Sequence, residues 1–152
     1  MTAAHCVDGA TSMKVFLGAH NVREASEEGR LEFEAAEYFA HPSWNGLLIR
    51  NDIGLIRLPQ KVEFNDIIRP ICLPSYSDVE DNFAGLDAPA SGWGKPTDSA
   101  DSISPVLREV TTETITNLAC IFELFQITKN NICISGKGGK STCNVSTVYF
   151  EN

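Results

Sequence analysis

Apolar and charged side chains alternate through Leu31-Glu32-Phe33-Glu34-Ala35. A period of two marks a strand with one face on a core, so residues 29–39 are predicted as a half-buried strand. The shorter run Ser12-Met13-Lys14-Val15-Phe16-Leu17-Gly18 predicts a strand closed by its glycine. Residues 53–58 are apolar apart from Arg57 and predict a strand covered on both faces. Before them, His41-Pro42-Ser43-Trp44-Asn45-Gly46 has the Pro and Asn-Gly of a turn. Pro59, Pro70 and Pro74 then punctuate the chain, and residues 75–87, polar and acidic, read as a surface connector. Residues 88–94, 107–116 and 132–134 predict further strands, the middle one rich in Val, Thr and Ile. One helix is predicted over 117–125, with Asn117 as N-cap and Leu118, Ile121, Phe122 and Phe125 at helical spacing. Many short strands separated by turns make an all-β sandwich or barrel, and periodicity does not choose between them.

The chain has 152 residues, 43% hydrophobic and 21% charged, enough apolar content for a globular unit or a piece of one. No apolar run approaches the ~20 residues of a membrane span, so no membrane partner is expected. The net charge is −8, much of it from Glu24, Glu27, Glu28, Glu32, Glu34 and Glu37. Nucleic-acid binders carry basic patches, so no nucleic-acid partner is expected, and the acidic run reads as a solvated face. Five cysteines, Cys6, Cys72, Cys120, Cys133 and Cys143, leave at least one thiol without an intrachain partner. Met1 is followed by no basic and apolar leader.

Two stretches carry candidate chemistry. Thr2-Ala3-Ala4-His5-Cys6 places a histidine at the end of what reads as a small-residue strand. Asn51-Asp52-Ile53-Gly54-Leu55-Ile56 buries an aspartate in an apolar strand. A neutral imidazole can accept a nucleophile's proton, while a carboxylate orients the ring and stabilises the imidazolium. Three more motifs follow in order: Arg69-Pro70-Ile71-Cys72-Leu73-Pro74, Ser91-Gly92-Trp93-Gly94 and Gly139-Lys140-Ser141-Thr142-Cys143-Asn144. From Thr2 to about Asn144 the chain resembles the chymotrypsin-like, trypsin-fold serine proteases, whose own triad logic is the one just stated. In texture it resembles arthropod chymotrypsins and brachyurin-type collagenolytic proteases.

The resemblance implies a double antiparallel β-barrel with both barrels incomplete. Residues 1–70 would be the remainder of the N-terminal barrel, 71–87 a connector, 88–144 part of the C-terminal barrel and 145–152 an aberrant tail. His5 would be the general base and Asp52 its orienting acid. Cys120 and Cys133 would form a local disulfide around the helix, worth about 3 kcal/mol by chain entropy. Cys6 and Cys143 would pair with cysteines outside this chain, and Cys72 has no assignment. Ser141 would floor the specificity pocket and favour apolar or mixed side chains. Ala19 stands where trypsins carry a calcium-binding glutamate, so no calcium is expected there. Neither a metal nor a cofactor is implied. The full-length relative would be a secreted, extracellular monomer acting on protein and peptide substrates.

The chain departs from the family after Asn144. Gly-Asp-Ser-Gly-Gly-Pro is expected there, to supply the nucleophile and the oxyanion-hole amides, but Val145-Ser146-Thr147-Val148-Tyr149 follows. Thr147 falls in register with the nucleophile, and the glycines that shape its turn are gone. The chain is therefore expected to be inactive as it stands. The alternative is a non-catalytic homologue that acts as a binding or decoy module. A third reading, a zinc-binding or purely structural β domain, lacks the Cys-x-x-Cys or His-x₃-His spacing of a zinc site. Gly139-Lys140-Ser141 fails the phosphate-loop pattern because Ile134 stands where its first glycine belongs. Trp44 and Trp93 read as core or turn aromatics, and Asn144-Val145-Ser146 is a glycosylation sequon in form. The abrupt break suggests intron read-through over 145–152, with Met1 an internal methionine, and open barrels of marginal stability. Genomic sequence is expected to spell a splice donor at codons 145–146, with a Gly-Asp-Ser-Gly-Gly exon downstream. Codons that cannot do so would contradict it.

Overall fold

The computed structural model describes residues 1–78, 80–121 and 127–139, together with the backbone of 147–148. The chain divides into two compact units, one of Met1–Ala19 and Ser26–Pro70, the other of His20–Ala25 and Ile71–Asn152.

The first unit holds a helical turn, α1 (Ala4–Val7), and four strands: β1 (Lys14–Leu17), β2 (Leu31–Glu34), β3 (Glu37–Ala40) and β4 (Gly54–Arg57). β1 pairs antiparallel with β2, and β3 with β4. The single strand expected over 29–39 is in fact two. The Ala35 amide donates to Met13 O, and the next amide, Ala36, donates to Arg57 O, so the chain changes partners between adjacent residues. The apolar–charged alternation slips at this corner, where Ala35 and Ala36 stand side by side, and the expectation of one strand overlooked that slip. The strand expected to be covered on both faces is covered on one. Leu55 and its cross-strand partner Phe39 are both exposed, so no described residue covers that face of the pair. Phe33, Ile68, Ala4 and Val7 are the buried apolar side chains of this unit.

In the second unit β5 (Asp87–Gly92), β6 (Arg108–Ile115), β7 (Cys133–Ile134) and β8 (Thr147–Val148) form an antiparallel sheet in the order β7-β6-β5-β8. The expected connector contains a 3₁₀ turn, Tyr76–Asp78, and its last residue, Asp87, opens β5. The segment 20–25 joins this unit through the Val22 amide, which donates to Pro105 O, and through His20 O, which accepts from the Leu107 amide. Trp93 Nε1 donates to His20 O as well, at 2.9 Å.

The core here is built of small and hydroxyl side chains: Ala88, Ala90, Thr112, Thr114, Ser104 and Ser135 are buried beside Cys133. Buried hydroxyls are costly unless bonded. Thr112 Oγ1 donates to Ser135 O at 2.6 Å, and Ser104 Oγ donates to Val106 O at 2.7 Å. Thr114 Oγ1 accepts from the Leu86 amide at 3.0 Å, and its single proton is shared between Phe83 O and Leu86 O. One side chain thus ties the 83–86 turn to β6.

The expected helix is present as α2 (Asn117–Ile121); Phe122 and Phe125 lie outside the described residues. Its cap is Thr116, not Asn117. Thr116 Oγ1 accepts from the Ala119 amide at 3.3 Å, the N3 position, while Asn117 Nδ2 donates to Thr128 O at 2.8 Å. Leu118 and Ile121 are exposed, so the helical spacing does not mark a buried face. The spacing misleads because residues three apart share a face whether or not anything covers it.

Thr114→Val keeps the shape but strands the Leu86 amide. Unfolding by denaturant should show a loss of about 1–3 kcal/mol, the cost of an unsatisfied buried group. An unchanged midpoint would contradict the role given to this hydroxyl.

Candidate active site

His5 and Asp52 both lie in the first unit, and the helical turn between Thr2 and Asp8 explains how they meet. Thr2 forms an isolated bridge with Gly54: Thr2 N donates to Gly54 O at 2.9 Å and Gly54 N to Thr2 O at 2.7 Å. The strand expected at 2–6 is only that bridge, and from Ala4 the chain turns helical. A helix start leaves amides without intrahelical partners, and Ala3 at the N-cap position has no side-chain acceptor.

Asp52 supplies one from far along the chain. Its Oδ1 accepts from the His5 backbone amide at 2.8 Å. Its Oδ2 lies 2.7 Å from His5 Nδ1. The Ala4 amide faces the same carboxylate and helps lower its pKa. Burial pushes the carboxyl pKa up, but the bonds from the His5 amide and ring, the His5 charge and the Ala4 amide outweigh it and hold the pKa below its ordinary value. Asp52 is therefore an acceptor-only anion at neutral pH, so Nδ1 must be the donor. In the neutral ring that leaves the lone pair on Nε2, the nitrogen a general base needs free. The His5 side chain is 62% exposed and that of Asp52 23%, so the aspartate is half-buried rather than buried, and it precedes β4 rather than lying in it.

Three residues to which the sequence assigned no role of their own hold this geometry. Gly54 is buried where an added Cβ would come 3.1 Å from both Ala3 O and Val7 Cγ2, so its bare backbone lets β4 pass beneath α1. Asn51 takes a left-handed conformation, φ 56°, and its Nδ2 donates to Ser43 O at 2.8 Å, which sets the direction of the chain entering Asp52. Tyr38 donates its hydroxyl to Ala10 O at 2.7 Å, beyond the far end of α1. Trp44, read as a turn aromatic, donates Nε1 to Asp8 Oδ2 at 3.0 Å. The available signal was the Asn-Asp pair, since asparagine tolerates positive φ better than most residues.

Cys120 and Cys133 are joined by a disulfide with their Cα atoms 6.2 Å apart. Cys6 and Cys72 carry exposed free thiols. Ser141, the expected pocket floor, lies outside the described residues, as does Cys143. Among the described residues no three of His, Cys, Asp and Glu converge where a metal ion could be held.

The lowered pKa of Asp52 makes acid stability a test of this contact. Its stabilisation is present above the unfolded value of about 3.9 and is lost as pH falls through the lower folded value. The stability advantage of the natural chain over Asp52→Asn should therefore be larger at neutral pH than in strong acid. An advantage that is the same at both would show that the carboxylate is not held as described.

The trypsin family model, described as "Trypsin", matches residues 1–145. Brachyurin of Leptuca pugilator is 42% identical over 144 residues, covering 95% of this chain and 62% of its own length. Chymotrypsin of Phaedon cochleariae is 36% identical over 145 residues, covering 94% and 51%. A solved structure titled HL collagenase superposes with a TM-score of 0.82 at 29% identity, covering 97% of this chain and 63% of that one. The chain therefore spans about half to three-fifths of the length of the relatives it matches. With this fold and these relatives, the chain belongs to the trypsin family, the serine proteases of chymotrypsin fold.

Proposed function

We propose that this chain carries the base and the orienting acid of a serine endopeptidase, His5 and Asp52, and that residues 1–152 by themselves do not hydrolyse peptide bonds. The observation that carries the first half is the Asp52 carboxylate gripping the His5 amide and Nδ1 at 2.8 and 2.7 Å. That grip fixes the tautomer, orients the ring and is ready to stabilise the imidazolium formed when Nε2 takes a proton. The second half rests on the sequence after Asn144, which has no Gly-Asp-Ser-Gly-Gly. Thr147, in register with the nucleophile, is paired as a strand with Ser91 and so is not on the tight turn that exposes a nucleophile. Ser141 is assigned to the floor of a pocket for apolar or mixed side chains. The substrates would be proteins and peptides, and the setting extracellular, where the disulfide persists.

Two measurements test this. The isolated chain should neither take up a fluorophosphonate probe nor cleave casein, and labelling at any residue would overturn the inactive reading. A chimera in which brachyurin of Leptuca pugilator supplies the sequence before Thr2 and after Asn144 should cleave casein. In that chimera Asp52→Asn should cost roughly 10⁴-fold in turnover and His5→Ala on the order of 10⁶-fold. An active chimera indifferent to either change would refute the roles given to these residues. A chimera that folds but never cleaves would favour the binding or decoy reading.

A further inference from the structure

The tail that departs from the family is not idle in the fold: Ser91 pairs with Thr147 and Ala90 with Val148. The hydrogen-bond alternation of β5 says which of these pairs carries the bonds. The Thr114 amide donates to Leu86 O, and the next residue along β6, Glu113, instead offers its carbonyl to Ser135 on the other side. Residues opposite each other in an antiparallel pair alternate between bonded and non-bonded. In this register, Ala88, Ala90 and Gly92 bond to β6, opposite Thr112, Val110 and Arg108. Asp87, Pro89 and Ser91 then turn their backbone groups away from β6, toward the edge where β8 lies.

Proline has no N–H, so Pro89 gives that edge an acceptor and no donor. Asp87 and Ser91 on either side of it can both donate and accept, and the tail meets Ser91 with Thr147. An unpaired strand edge is a template for another chain. Ala88 and Ala90 are 0% and 1% exposed, so β5 is an interior strand by burial with one edge left to the tail.

We propose that residues 147–148 act as an edge guard: Thr147 exchanges a backbone hydrogen-bonded pair with Ser91 and withholds the β5 edge from the strand of a second copy of this chain. Pro89, the next outward-facing position of β5, offers this edge a carbonyl but no N–H. The same alternation turns the Val148 amide away from β5.

Two proline variants of the full chain separate this proposal from a tail that merely lies nearby. Thr147→Pro deletes the amide that bonds Ser91 O, whereas Val148→Pro deletes one facing away. Amide hydrogen exchange of Ser91, read by NMR, should accelerate roughly fivefold or more in Thr147→Pro, the worth of about one net hydrogen bond. In Val148→Pro it should stay within about twofold, since proline is tolerated where a strand's N–H faces outward. Light scattering over a dilution series should show more self-association for Thr147→Pro than for Val148→Pro. Equal Ser91 exchange in Thr147→Pro and the natural chain overturns the proposal, as does equal acceleration in both variants. Faster exchange with no change in association overturns the guarding role.

Discussion

One carboxylate holds the site together. Asp52 accepts from the His5 amide with one oxygen and from the His5 ring with the other. The first bond caps a helical turn too short to satisfy its own amides, and the second fixes the imidazole. Structure and chemistry are thus served by the same group. A tautomer suited to general-base work follows directly from the anion's need for donors.

The supports around that contact are backbone devices. Gly54 makes room for α1 over β4, Thr2 pairs with it, and Asn51 sets the left-handed step before Asp52. Trp44 and Tyr38 tie the chain beyond α1 at Asp8 and Ala10. In the second unit the comparable work falls to hydroxyls, with Thr112 and Thr114 fastening carbonyls beside β6. Among the described residues, both units set a few polar contacts beside a small group of buried apolar side chains.

The His5–Asp52 contact was legible because both residues stand in short motifs that carry the family resemblance, the Cys120–Cys133 link followed from that resemblance, and the all-β class followed from many short strand patterns separated by turns. The helical turn at Ala4–Val7 was not. Its residues are small, its cap lies 47 residues away, and no local pattern records a cap of that range. The corner between Ala35 and Ala36 left a trace, two adjacent apolar residues where the alternation slips, but two alanines are too small to mark a change of face by themselves. The cap of α2 was misplaced by one residue, because Thr116 and Asn117 are both good N-caps by type and only the hydrogen bonds choose between them.

The role of Asp52 is decided by which nitrogen of His5 carries the proton. Nitrogen-15 NMR of the imidazole at a pH where the ring is neutral reads this directly. A proton is expected on Nδ1, with Nε2 unprotonated, and a switch to Nε2 is expected when Asp52 becomes asparagine, whose amide can donate to Nδ1. A neutral His5 already protonated on Nε2 in the natural chain would contradict it.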